Sequence, residues 1–338
     1  MKKIIIILSL LICCIWVSNA QNLIAVQNNS TPFFFTSLDS AIIHAHNGDT
    51  LYLPGGNFAL NTNIDKCIHI IGVGHNPDST NAINPTNIIA NNLYLITGSS
   101  FGSLIGVKLS GFNFGKESGN GNITNYTLGR CNINGISLFG GYTASNNIFY
   151  ENIISGFINL TMAQSNNFYN NYFGWLVSFG NYSIIKNNIF NIEGYTNYLI
   201  NNTYSTFENN VFFPGTVSAI SGNSTNNIFN NNLFVENISF PFGNNTGINN
   251  IVNQSQSSIF VNQSGSAYSY SQDYHLQPTC PGKNAGRDGT DIGIYGGMFP
   301  WKEGSVPFNP HIQYEQVAPL TSTNGNLNVN IKVAAQDH

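Results

Sequence analysis

The chain has 338 residues, only 8% of them Asp, Glu, Lys or Arg, and a formal net charge of −4. That is about a third of the usual charged fraction. It excludes a nucleic-acid binder built on clustered phosphate contacts and a bundle of helices with charged outer faces. Asn supplies 56 residues and Gly 33, while 42% of the chain is hydrophobic, too much for a disordered polar tract.

Lys2 and Lys3 precede an apolar run from Ile4 to Val17 that ends in Ser18-Asn19-Ala20. This is the pattern of a secretory signal, so residues 1–20 are expected to be cleaved after Ala20 and the remainder to be secreted or held at the cell surface. The run is shorter than the ~20 residues that cross a bilayer, and no other segment is apolar enough to cross one. A lipidated Cys13 is disfavoured by the bulky Ile12 before it. Cleavage would leave Cys67, Cys131 and Cys280, an odd and widely spaced set that reads as buried thiols rather than a disulfide framework. No Cys/His spacing suggests zinc.

Leu38, Ala41, Ile42 and Ala45 fall at i, i+3, i+4 and i+7, which predicts a short amphipathic helix over 36–45 capped by Ser37 or Thr36. Gly48 to Phe58 then reads as a strand between glycine turns. His44 and His46 are two residues apart and share no helical face as a metal pair would.

From residue 146 onward Asn-Asn followed by an apolar residue recurs at 146, 166, 187, 209, 226 and 249, with a mean step near 21. Leucine-rich repeats need regularly spaced Leu, and propeller blades are about twice as long. A parallel β-helix fits: each bend recurs ~4.8 Å above the last, Asn tolerates αL conformation there, and stacked Asn amides hydrogen-bond as a ladder. Phe149, Phe190, Phe212 and Phe229 lie one residue after Ile148, Ile189, Val211 and Ile228. Adjacent strand residues face opposite sides, so one column is expected in the core; the alternative places the aromatic column outside as a platform for sugar rings. Beyond Gly304, Ile312 to Val317 and the alternating Leu327, Val329, Ile331 and Val333 flank Asn324-Gly325 and predict a hairpin, packed on the solenoid's end or forming an attachment module.

The helix followed by "GDTLYLPGGNF" resembles the start of secreted bacterial right-handed parallel β-helix proteins, the pectate-lyase-like superfamily. "IHIIGVGHNPDST" and "GSLIGVKLSGFNF" are similar to their next coils, and "DYHLQPTCPGKNAGRDGTDIGIYGG" to the closing segment they carry, with Cys280 where Ser is usual. The resemblance spans about residues 33 to 300. It implies an all-β, right-handed parallel β-helix solenoid of roughly ten coils. It also implies that polysaccharide lyase or hydrolase chemistry is to be looked for.

That chemistry finds few residues. Lyases of this kind need a Lys or Arg base, often beside calcium held by clustered carboxylates, and the hydrolases need paired acids. From Asn81 to Gln272 there is no Asp, and only five Glu and four basic residues. The best constellation is Lys186 and Glu208, one coil apart, with Arg130 assigned to the same register lower down; an exposed ion pair is the simpler reading. Lys108, Arg130 and Glu151 form a second possible column. Asp288 and Asp291 could bind a cation, but Asp-Gly here suits a turn. The expectation is therefore a signal peptide (1–20), a β-helix with caps (21–304) and a C-terminal hairpin extension (305–338). It is a monomer without cofactor or metal, non-catalytic and carbohydrate-contacting or adhesive, with a polysaccharide lyase or glycoside hydrolase as the alternative.

Overall fold

The computed structural model describes residues 23–28, 31–80, 84–116, 121–192, 199–213, 220–265, 267–308, 310–318, 320–322 and 324–334; the expected signal segment lies outside them. The chain forms a parallel β-solenoid of about nine turns. In each coil one strand joins sheet A, which runs from Thr50–Tyr52 to Thr246–Ile248, and the next joins sheet B, which runs from Gly56–Ala59 to Leu233–Phe234. Successive strands within each of these runs pair in parallel, coil upon coil. The start of sheet A is closed by an antiparallel pair, Ile24–Asn28 and Thr31–Phe35.

The predicted helix is present as Leu38–His44. Its N-cap is Ser37, whose hydroxyl accepts from Ser40 N, and Leu38, Ala41 and Ile42 are its buried face. Lys66 Nζ donates to the carbonyls of Ile42, Ile43 and Ala45 at 2.7–3.0 Å, placing a cation on the orphan acceptors at the helix C-terminus.

The Asn-Asn pairs mark two bends, not one. Asn147 and Asn166 precede sheet A, whereas Asn188, Asn210 and Asn250 precede sheet B. Between sheets A and B, Asn152, Asn171, Asn188, Asn210, Asn232 and the half-buried Asn250 form an unbroken ladder, each backbone N–H donating to the Oδ1 of the next at 2.8–3.0 Å. The second ladder runs Asn147, Asn166, Ser183, Ser205, Asn227, Asn245. Both ladders step by 19, 17, 22, 22 and 18 residues. Each rung satisfies a backbone donor that a tight bend would otherwise bury unpaired.

The aromatic column is inside. On sheet B, Phe173, Phe190, Phe212 and Phe234 stack in consecutive coils at 4.5–5.0 Å between centroids, and on sheet A Phe149 stacks on Phe168 and Phe207 on Phe229. The outward column of sheet B changes character along the stack: Asn57, Asn87, Lys108 and Asn132 are followed by Ile153, Tyr172, Ile189, Val211 and Leu233. The apolar part is covered by the C-terminal segment, whose Ile259, Phe260, Tyr274, Leu276, Ile292 and Trp301 complete a second core with it. The segment with the closing motif is thus no end cap. It runs back along the side of the coils, bonding in turn to Asn231, Asn209, Asn187, Asn170, Glu151 and Arg130. His311–Val317 and Val329–Ala334 pair antiparallel as the expected hairpin, and Leu327, Val329, Ile331 and Val333 on it are exposed.

Candidate functional site

The residues singled out for chemistry are committed to structure. Lys186 and Glu208 face each other in register and form an ion pair of 2.8 Å. The other Glu208 oxygen receives Arg287 Nη1 at 2.9 Å, so this carboxylate fastens the C-terminal segment to the coils. Arg130 does not share their register. Gly129 holds that position, and Arg130 sits one residue on, in a column of αL residues with Gly106, Glu151, Asn170, Asn187 and Asn209, at φ between 50° and 69°. The offset arises because Cys131, whose N–H donates to Asn152 Oδ1, holds the ladder position that Asn188 and Asn210 hold in later coils, so Asn132 lies one residue past it.

Arg130 and Glu151 are buried together, Nε to Oε2 at 3.2 Å and Nη2 to Oε1 at 3.2 Å. Arg130 Nη1 also donates to Val306 O at 2.8 Å, and Glu151 Oε2 accepts from Lys302 N at 3.1 Å. This pair too is a clasp for the C-terminal segment. Lys108 is not in its column; it stands between Asn87 and Asn132 on sheet B. Asp291 accepts from Lys283 Nζ and Asn284 N, and Asp288 from Thr290, so both acids shape the turn. Among the described residues no three His, Cys, Asp or Glu are grouped to hold a metal ion. Nor is any helix long and apolar enough to cross a membrane.

A groove opens where the C-terminal segment does not cover sheet B. Two adjoining cavities, about 850 and 530 Å³, share Asn91, Ser110, Asn134 and Ser155. Together they extend from Asn61 in the first coil to Trp175 five coils later, a length of about 24 Å at the coil rise. The floor is a ladder of amides and hydroxyls: Asn87 Nδ2 donates to Asn57 Oδ1 at 2.9 Å and Asn113 Nδ2 to Asn92 Oδ1 at 2.8 Å. Phe157 and Trp175 line the far end, both more than a third exposed. Lys108 is the one charged side chain in the lining.

Tyr270 of the C-terminal segment bonds to Asn132 of the groove lining. Its hydroxyl oxygen accepts from Asn132 Nδ2 at 2.9 Å and lies 2.8 Å from His75 Nδ1. Burial, with a smaller contribution from the Lys108 charge, pulls the His75 pKa down to about 3 and keeps the ring neutral. Burial also pushes the Tyr270 phenol upward, so it stays protonated.

Sequence reasoning missed Phe157, Trp175 and the outward direction of Lys108. The available signal was Ser155-Gly156-Phe157 and Gly174-Trp175, small residues beside aromatic ones at a step of 18, where neighbouring coils need close backbone approach. A Cβ on Gly156 would lie 1.6 Å from Asn134 O. No protein-family model matches the chain, and no curated protein matches its sequence.

Proposed function

We propose that the protein is a secreted or cell-surface β-helix, related to the pectate-lyase-like proteins by architecture, which binds an uncharged stretch of extracellular polysaccharide without cleaving it. The supporting observation is the groove itself: amide and hydroxyl groups at coil spacing, an aromatic wall at one end and a single cation. Asn and Ser offer both donors and acceptors to sugar hydroxyls, and aromatic faces bind the C–H face of a ring while excluding water. Binding sites of this kind combine apolar walls with a few placed polar groups.

A polysaccharide lyase is the second reading, and Lys108 in the groove is the observation in its favour, as a base that no described carboxylate pairs with. Hydrolysis is less well supported, because it takes two carboxyl groups about 5–10 Å apart across the scissile bond and the groove lining contains none. Incubating the secreted protein with uronate-containing polysaccharides, with and without calcium, and following near-ultraviolet absorbance separates the readings. Binding without new absorbance is expected; unsaturated product that disappears in Lys108→Met would establish the lyase instead.

A further inference from the structure

At the bend that leads into sheet A, one position per coil takes αL conformation: Asn125, Asn146, Ser165, Tyr182, Tyr204 and Asn226 all have φ between 54° and 58°. Asn and Ser accept this backbone readily, whereas a bulky ring there is an outlier whose strain must be held by its surroundings. Tyr182 and Tyr204 are held by backbone N–H bonds to Thr203 O and Thr225 O, with the Ser183–Ser205 rung beneath them. Neither ring contributes to the core: they are 57% and 55% exposed.

The two rings lie nearly parallel, 11° between planes and 5.3 Å between centroids. The core phenylalanines stack at 4.4–4.6 Å. The wider separation is that of an offset stack, so part of each ring face stays open to solvent. Beside them Thr203 Oγ1 donates to Asn181 Oδ1, and Ile184 is exposed two residues after Tyr182. Among the described residues no charged side chain stands in this bend column, and the nearest charges in sequence, Lys186 and Glu208, are tied in an ion pair that Arg287 joins. An aromatic step edged by amide and hydroxyl groups, with no charged side chain of its own, fits an uncharged polyhydroxylated chain better than a charged protein or lipid surface.

We propose that Tyr182 and Tyr204 form a second glycan contact, separate from the sheet B groove, so that one molecule holds two segments of neutral polysaccharide and can bridge chains. This rests on the carbohydrate-binding reading above. A molecule with two sites gains avidity on a polymer without any new contact at either one.

The decisive experiment is calorimetric titration with cellohexaose, xylohexaose and mannohexaose, comparing the full chain with Tyr182→Asn/Tyr204→Asn and Trp175→Ala. The double Asn variant restores the residue type that the bend prefers, so it should fold with equal or higher melting temperature. The expected result is two sites for the parent with at least one probe and a single site in each variant, together with at least tenfold weaker adsorption of each to the matching insoluble polymer. One site in the parent, lost in Trp175→Ala and unchanged in the tyrosine variant, would overturn the second contact and leave the groove standing. Absence of heat with every probe would overturn the groove reading and the second contact together.

Discussion

Asn210 Oδ1 accepts twice from Asn188 in the coil below, from the backbone N–H at 2.9 Å and from the side-chain amide at 3.0 Å. Asn210 Nδ2 in turn reaches Ile185 O at 2.9 Å. One amide therefore closes the bend beneath it and joins two coils, and it does so fully buried.

Asn210→Ala should cost on the order of 3–5 kcal/mol, because it strands a buried donor and a buried carbonyl in addition to removing the bonds themselves. Asn159, exposed and bonded only to Thr161 Oγ1, should tolerate the same change within about 0.5 kcal/mol. Urea unfolding of the two variants checks the contrast; equal destabilisation would mean that the ladder is not what holds the bends.

The Arg130–Glu151 clasp makes a different prediction. Removing one partner of a buried ion pair leaves an uncompensated charge, at a cost of roughly 3–5 kcal/mol, so Arg130→Asn or Glu151→Asn alone should lower the melting temperature sharply. Both positions are αL in a column that is otherwise Asn or Gly. The double Asn variant should therefore recover most of the loss. A double variant as unstable as the sum of the two singles would show that the two residues act independently and are not coupled as a pair.

His75 sets an acid limit. Its folded pKa of about 3 lies below the ordinary 6.5, so protons bind the unfolded chain more tightly between those values. The stability it allows is complete above pH 6.5 and falls as pH drops toward 3, by up to about 1.4 kcal/mol per unit. His75→Gln should flatten the stability profile over this window relative to the parent, while changing little at pH 7.5. Parallel profiles for the two proteins would remove His75 as the cause.

Lys186 and Glu208, the pair that looked most like an acid and a base, should matter only to stability. Lys186 is a third exposed, so Lys186→Met should cost less than about 1 kcal/mol. Glu208→Gln, which releases Arg287 as well, should cost more. Neither should change glycan affinity, measured by affinity electrophoresis; a tenfold loss in either would return the site to sheet A.

Much of this fold was legible in the residues. The capping helix with Ser37, the terminal hairpin and the solenoid period all follow local chemistry: a staggered apolar face, an Asn-Gly turn, and amides suited to αL bends. The register was not legible, because Asn occupies both bends flanking sheet A. With coils of 17 to 22 residues, the Asn-Asn series crossed from one bend to the other while keeping its step, and at the coil of Arg130 it is Cys131, not Asn132, that holds the ladder position. The groove was invisible for a related reason. Asn132 and Ile153 are equivalent in the coil, and only the docked C-terminal segment decides that one faces solvent and the other a second core.

Binding of an uncharged polysaccharide in the open groove on sheet B is tested by the affinity of the protein for neutral glycans before and after Trp175→Ala. The expected result is binding that weakens about tenfold or more, roughly 1.4 kcal/mol, with the melting temperature unchanged. Undiminished binding in a folded Trp175→Ala protein, or preference for charged over neutral glycans, would contradict it.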